Sequence, residues 1–111
     1  MKINSNHVSA LVSLIKSLDY AMLTDEQWDR LTAVDVTDTA ELIQVIRDYI
    51  APEYRSWDPL SKKLAHDAFE AAFAHPDYQF APVLQSVEMP FSALPEPRVF
   101  FATIRQEILD V

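Results

Sequence analysis

The sequence contains no glycine, although ordinary usage would place about eight in 111 residues. Glycine adopts positive backbone φ without strain and lets a backbone lie close to a phosphate or a cofactor. Its absence excludes the Walker loop, the dinucleotide-binding fingerprint, the EF-hand calcium loop and the G-x-S-x-G nucleophile elbow. It also excludes Asn-Gly hairpin turns, and therefore disfavours an antiparallel β fold.

Cysteine and long apolar runs are missing as well. Without cysteine there are no disulfides, thiolate zinc sites or cysteine nucleophiles, which fits a reducing compartment. No apolar run approaches the ~18 residues of a membrane span. Ser9, Ser13 and Lys16 interrupt the apolar residues that begin at Val8, which is typical of a helix rather than of a signal peptide. We therefore expect a cytoplasmic protein.

Basic residues are scarce, with nine Lys and Arg against 17 Asp and Glu, which gives a net charge of −8. This charge disfavours nonspecific binding to nucleic acid or to an anionic membrane, and it favours fast encounter with a basic protein. Half of the residues are hydrophobic, which is enough for one core and too many for a disordered chain. A single domain over residues 1–111 is expected.

Apolar residues recur at spacings of three and four, which predicts an all-α, compact, irregular bundle of five to six helices with a short strand at most. The first helix is predicted over about 6–22, with a buried stripe of Val8, Leu11, Val12, Ile15, Leu18 and Met22. Capping residues predict further helix starts at Thr24, Asp38 and Asp58, and Pro97 predicts the last. A short helix is predicted over about 82–89.

The helix after Asp38 is expected to be central, because it is apolar around much of its circumference. Pro52 is expected to end it near Ile50 and to leave residues 53–57 as a loop. Leu42, Ile46 and Phe69 are predicted core residues. The helix after Asp58 has a predicted buried stripe of Leu60, Leu64, Ala65, Ala68, Phe69, Ala72 and Phe73.

His66 and Glu70 stand four residues apart on this helix, so their side chains can meet. The pair is half of a metal site, or a base with the group that orients it. It is also a common surface hydrogen bond between i and i+4. Because no second ligand pair accompanies it, no catalytic, metal or cofactor-binding residue is assigned. A small enzyme built on these two residues stays an alternative.

Acidic residues are concentrated in residues 19–41, the acidic segment, where Arg30 is the single base. The acids of this segment are Asp19, Asp25, Glu26, Asp29, Asp35, Asp38 and Glu41. Four of them fall in predicted first turns, where the helix dipole stabilises a carboxylate. Asp19, Asp29 and Asp35 lack that explanation. The segment is therefore either a solvated face with caps or a docking surface for a cationic partner, with Asp29 and Asp35 as its best probes.

The stretch from Tyr54 to Trp57 adds Tyr, Arg and Trp, the residue types that dominate binding hot spots. Tyr54, Arg55 and Trp57 are therefore further candidates for partner binding. The other interpretation makes Trp57 a plug for the core.

Small size, acidity and the lack of catalytic motifs are typical of a non-catalytic inhibitor that binds a protein. We expect a bacterial immunity protein or antitoxin that blocks a basic partner, such as a nuclease toxin, by pairing carboxylates with the toxin's phosphate-binding cations. A helical adaptor or homo-oligomeric assembly subunit with an apolar groove is one alternative. A DNA mimic is another. No cofactor, nucleic acid or membrane partner is expected, and the oligomeric state stays open.

Overall fold

The computed structural model describes residues 2–109, and helix accounts for 66% of the structure, with no strand among these residues. The predicted all-α fold is confirmed. The α-helices are α1 (Ser5–Ile15), α2 (Asp25–Thr32), α3 (Thr39–Val45), α4 (Ala51–Arg55), α5 (Pro59–Phe73), α6 (Ala81–Leu84) and α7 (Pro97–Leu109). A 3₁₀ turn (Lys16–Leu18) follows α1, and a π-helical turn (Ile46–Ile50) joins α3 to α4.

The core lies where α1, α5, α7 and the π-helical turn meet. Small side chains on α5, such as Ala65 and Ala68, are fully buried and let α1 approach closely. The predicted core residues Leu42, Ile46 and Phe69 are 2%, 0% and 0% exposed, so this part of the prediction is confirmed.

The predicted caps begin the helices as expected. Thr24 and Gln27 form the capping box of α2, with the Gln27 amide 3.1 Å from Thr24 Oγ1 and the Thr24 amide 2.9 Å from Gln27 Oε1. The carboxylates of Asp38 and Asp58 accept backbone amides in the first turns of α3 and α5. Pro59 fills the first position of α5, where no amide donor is needed.

The first helix is shorter than predicted, since α1 ends at Ile15 and the 3₁₀ turn reaches only to Leu18. Asp19 then takes an extended conformation, and its Oδ1 accepts the Glu88 amide at 2.7 Å. This contact directs the chain after Asp19 away from the axis of α1. Met22 is consequently 60% exposed rather than part of the buried stripe.

Pro52 does not end the central helix, and the loop predicted over 53–57 begins only after Arg55. The ring of a proline inside an α-helix clashes with the carbonyl four residues earlier. Here the preceding turn is π-helical, and the Ala51 amide donates to the Ile46 carbonyl, five residues earlier. The extra residue in that turn accommodates the ring. The helix therefore continues to Arg55 and carries Tyr54 into the core.

The buried stripe of α5 begins later than predicted. Leu60 is 77% exposed and Leu64 is 39% exposed, whereas Ala65, Ala68 and Phe69 are buried. An open groove separates the first turns of α5 from α1, and Leu64 lines this groove.

A backbone inversion at Phe80 and hydrogen bonds from Arg98 hold the segment between α5 and α7 in place. Phe80 has φ 61°, in the left-handed region, and its buried ring stacks on Phe101 with centroids 4.2 Å apart. The short α6 that follows ends at Leu84, five residues before the predicted end. Arg98, in the first turn of α7, donates to the carbonyls of His75 and Tyr78 beyond the end of α5.

Candidate functional site

A cleft of about 470 Å³ lies between α2 and the segment formed by α3 and the π-helical turn. We call it the acidic cleft. Its floor is apolar and its mouth is polar, which is the usual composition of a binding cleft. The floor consists of Leu31, Val34, Val45 and Tyr49, and the mouth of Gln27, Arg30, Glu41, Gln44 and Asp48.

Side-chain hydrogen bonds order the connection between α2 and α3, which contributes Val34 to the cleft. Asp35 Oδ1 accepts both the amide and the hydroxyl of Thr37, and these hydrogen bonds lower the pKa of Asp35. Asp38 caps α3, and Glu41 Oε1 lies 3.5 Å from the Asp35 amide. Asp35 and Asp38 therefore shape the turn itself, which is a structural role that does not depend on a partner.

The π-helical turn brings two neighbours in sequence, Asp48 and Tyr49, to the same cleft. Widened turns of this kind re-aim side chains and are frequent at functional sites. Asp48 Oδ1 accepts the Gln44 side-chain amide at 2.9 Å, so the two polar groups form one side of the mouth. Tyr49 is half-buried and contacts the core.

The acids of α2, of the connection to α3, of α3 and of the π-helical turn are poorly balanced by bases, and Glu41 and Asp48 are the ones that line the cleft. Asp25, Glu26, Asp29, Asp35, Asp38, Glu41 and Asp48 are all exposed. Arg30 is held by Glu26 at 2.9 Å, and Arg47 is held by the nearly buried Glu107 of α7 at 2.6 Å. Both nearby guanidinium groups thus have a carboxylate partner of their own, which leaves the surface strongly negative.

The predicted partner-binding residues do not form one surface. Asp19 holds the loop around Glu88 through its carboxylate. Tyr54 is only 4% exposed and belongs to the core, so the prediction that it contacts a partner at the surface is wrong. Arg55 is exposed, and Trp57 is half-buried at a second cavity away from the acidic cleft.

That second cavity, the serine groove, measures about 630 Å³ and opens between α1 and the first turns of α5. Hydroxyl groups line much of it, and Trp57, Met22 and Leu64 supply its apolar side. Its full lining is Ser9, Ala10, Ser13, Lys16, Ser17, Met22, Glu53, Ser56, Trp57, Asp58, Ser61 and Leu64. Its charged lining residues are one base, Lys16, and two acids, Glu53 and Asp58, which is the same balance as Arg30, Glu41 and Asp48 in the acidic cleft.

His66 contacts a tyrosine rather than the predicted Glu70. Its Nε2 atom lies 2.6 Å from the hydroxyl of Tyr54, across the interface between α4 and α5. Glu70 is exposed on the outer side of α5. Among residues 2–109, no group of three or more His, Cys, Asp or Glu side chains is arranged to hold a metal ion.

Comparison with known protein families, with curated proteins and with solved structures finds no match to this chain. None of the helices within residues 2–109 combines the length and the apolar character that crossing a membrane requires.

Burial raises the pKa of the Tyr54 hydroxyl above its ordinary value of 10.0. The folded chain therefore holds this proton more tightly than the unfolded chain, so the stabilisation is complete below about pH 10 and is lost as the pH rises through the folded pKa. We expect the stability of Tyr54→Phe to fall less than that of the wild type above about pH 10. Urea unfolding as a function of pH measures this. Tyr20→Phe, at a 60% exposed tyrosine, is the control and should behave as wild type.

Of the residues that line the acidic cleft, Glu41 alone was a predicted partner-binding residue, and Val34, Gln44, Asp48 and Tyr49 were missed. The spacing of Glu41, Val45 and Asp48 at i, i+4 and i+7 was the available signal, because it places these residues on one helical face.

Proposed function

We propose that this chain is a non-catalytic inhibitor that binds a basic protein through the exposed carboxylates of α2, of the connection to α3 and of α3. We call this set the α2–α3 surface; it consists of Asp25, Glu26, Asp29, Asp35, Asp38 and Glu41. The observation that carries the proposal is the excess of exposed carboxylates on this surface, where the nearby arginines already have acidic partners. A surface of this kind speeds encounter with a positively charged protein and disfavours acidic ones.

The proposed class is an immunity protein or antitoxin directed against a nuclease toxin. A nuclease holds nucleic acid phosphates with Lys and Arg, and these contacts account for much of its affinity. Carboxylates that pair with the same cations would exclude the nucleic acid without any chemistry by the inhibitor. The acidic cleft supplies apolar area next to the carboxylates of Glu41 and Asp48, and a durable complex needs such area in addition to charge.

The test is whether the partner's nuclease activity is inhibited in the complex and returns when the complex dissociates. The tagged protein, expressed in its native cells, should co-purify with a basic protein whose nuclease activity is low in the complex. That activity should return when salt dissociates the complex and the tagged protein is removed. A partner that is acidic, or one with equal nuclease activity in the complex and alone, would contradict the proposal.

A matched pair of charge reversals locates the surface. Asp25→Lys with Asp29→Lys changes two exposed carboxylates of α2. Asp77→Lys with Glu96→Lys changes two exposed carboxylates elsewhere by the same total charge. Only the α2 pair should strongly reduce co-purification, because exposed charges are screened beyond about 8 Å at physiological ionic strength.

A further inference from the structure

We propose that the acidic cleft receives an arginine side chain of the partner. This inference rests on the proposed function, since it names the group that the basic partner would insert. It concerns the cleft alone, whereas the proposed function concerns the charge of the whole α2–α3 surface. The two can therefore fail separately.

The apolar floor suits the aliphatic stem of a long basic side chain. Val34, Val45 and Tyr49 line the cleft beside the nearly buried Leu31. Long basic side chains commonly lay their methylene groups along apolar surface and leave the charged head in polar surroundings. A volume of about 470 Å³ leaves room for such a stem and its head group.

The mouth suits the cationic head. Glu41 and Asp48 stand seven residues apart along the same face and both line the cleft. The interaction of Glu41 with the Asp35 amide is long, at 3.5 Å, so that carboxylate can accept a better donor. Asp48 accepts one amide from Gln44 and keeps further acceptor capacity.

Arginine fits these surroundings better than lysine does. Its planar guanidinium can stack on an aromatic ring while it donates several hydrogen bonds to carboxylates, and it is less strongly hydrated than an ammonium group. Tyr49 supplies a ring at the cleft, and Glu41 and Asp48 supply the carboxylates. The cleft's own Arg30 is held by Glu26 at 2.9 Å, on the neighbouring turn of α2.

The direct test titrates isotope-labelled protein with a short blocked peptide that contains one arginine, and follows the backbone amides by NMR. The same peptide with lysine and with citrulline, the uncharged isostere of arginine, provides the comparison. We expect the arginine peptide to shift the amides of Val34, Val45 and Tyr49 most strongly. The lysine peptide should bind more weakly, and the citrulline peptide should leave these amides unchanged.

Variants assign the contacts. The double variant Glu41→Gln with Asp48→Asn should bind the arginine peptide about tenfold more weakly, because it removes both charge-assisted acceptors and keeps the side-chain shapes. Asp77→Asn with Glu96→Gln removes the same charge elsewhere and should have little effect. Tyr49→Leu keeps an apolar floor but loses the ring, and should reduce the preference for arginine over lysine.

Several results would overturn the inference. These are an absence of binding up to the solubility limit of the peptide, shifts centred on the serine groove, shifts spread over every acidic residue, or equal weakening by both charge-removing pairs. With the isolated partner, the Glu41→Gln and Asp48→Asn pair should raise the dissociation rate. An unchanged dissociation rate, with association that still slows in salt, would reject the cleft and leave the proposed function standing.

Discussion

Replacing Phe69 with alanine is expected to lower the free energy of unfolding by about 3–5 kcal/mol. Phe69 is fully buried on α5, and its ring stacks on that of Phe73 with centroids 6.2 Å apart. Truncation removes the apolar contacts and leaves a cavity that close-packed helices can fill only in part. The fully buried Ile46 and the nearly buried Leu42 should cost about 2–5 kcal/mol each when truncated in the same way.

Chemical denaturation measures this loss. Leu60→Ala, on the same helix but at a 77% exposed position, is the matched control and should change stability by less than about 0.5 kcal/mol. A loss of less than about 0.5 kcal/mol for Phe69→Ala would show that the core has been assigned to the wrong face of α5.

Replacing Phe80 is expected to lower the free energy of unfolding by about as much as replacing Phe69. Here, unusually, the glycine variant should be more stable than the alanine variant. Phe80 is fully buried, stacks on Phe101 and takes φ 61°, a conformation that glycine adopts without strain and other residues do not. Phe80→Ala should cost about 3–5 kcal/mol, because it loses the ring and keeps the backbone strain. Phe80→Gly also loses the ring but relieves the strain, so it should be more stable than Phe80→Ala by about 1 kcal/mol.

Thermal and urea unfolding of the two variants test this order. At most positions inside regular structure, a glycine variant is less stable than the alanine variant at the same position. If Phe80→Gly were less stable than Phe80→Ala, the left-handed backbone at this position would carry no strain. That result would contradict our account of how this glycine-free chain makes its turn.

The sequence predicted those features of the fold that depend on local chemistry. Thr24 with Gln27, Asp38 and Asp58 begin their helices as expected, because capping needs only residues within one turn. Pro97 begins α7 for a similar reason. Features that depend on tertiary contacts were not predictable. Neighbours along the chain do not show how the π-helical turn accommodates Pro52 or that Phe80 inverts the backbone.

The candidate site was predictable as a charge distribution and not as a shape. The excess of acid in residues 19–41 is visible in the sequence, but the carboxylates of Asp19 and Asp35 turned out to hold loops together. Asp35 is therefore a poor probe of binding, contrary to the choice made from the sequence. The cleft depends on how α2 packs beside α3 and on the π-helical turn, which local patterns do not report.

The central claim is that charge on the α2–α3 surface drives recognition of a basic protein. The most direct measurement is the association rate with the isolated partner as a function of salt, for the wild type and for the two charge-reversed pairs. We expect the wild-type rate to fall as salt rises. Asp25→Lys with Asp29→Lys should reduce the rate at low salt and flatten its salt dependence, whereas Asp77→Lys with Glu96→Lys should do much less. Equal rates for the wild type and the α2 pair at low salt, in folded proteins, would contradict the account.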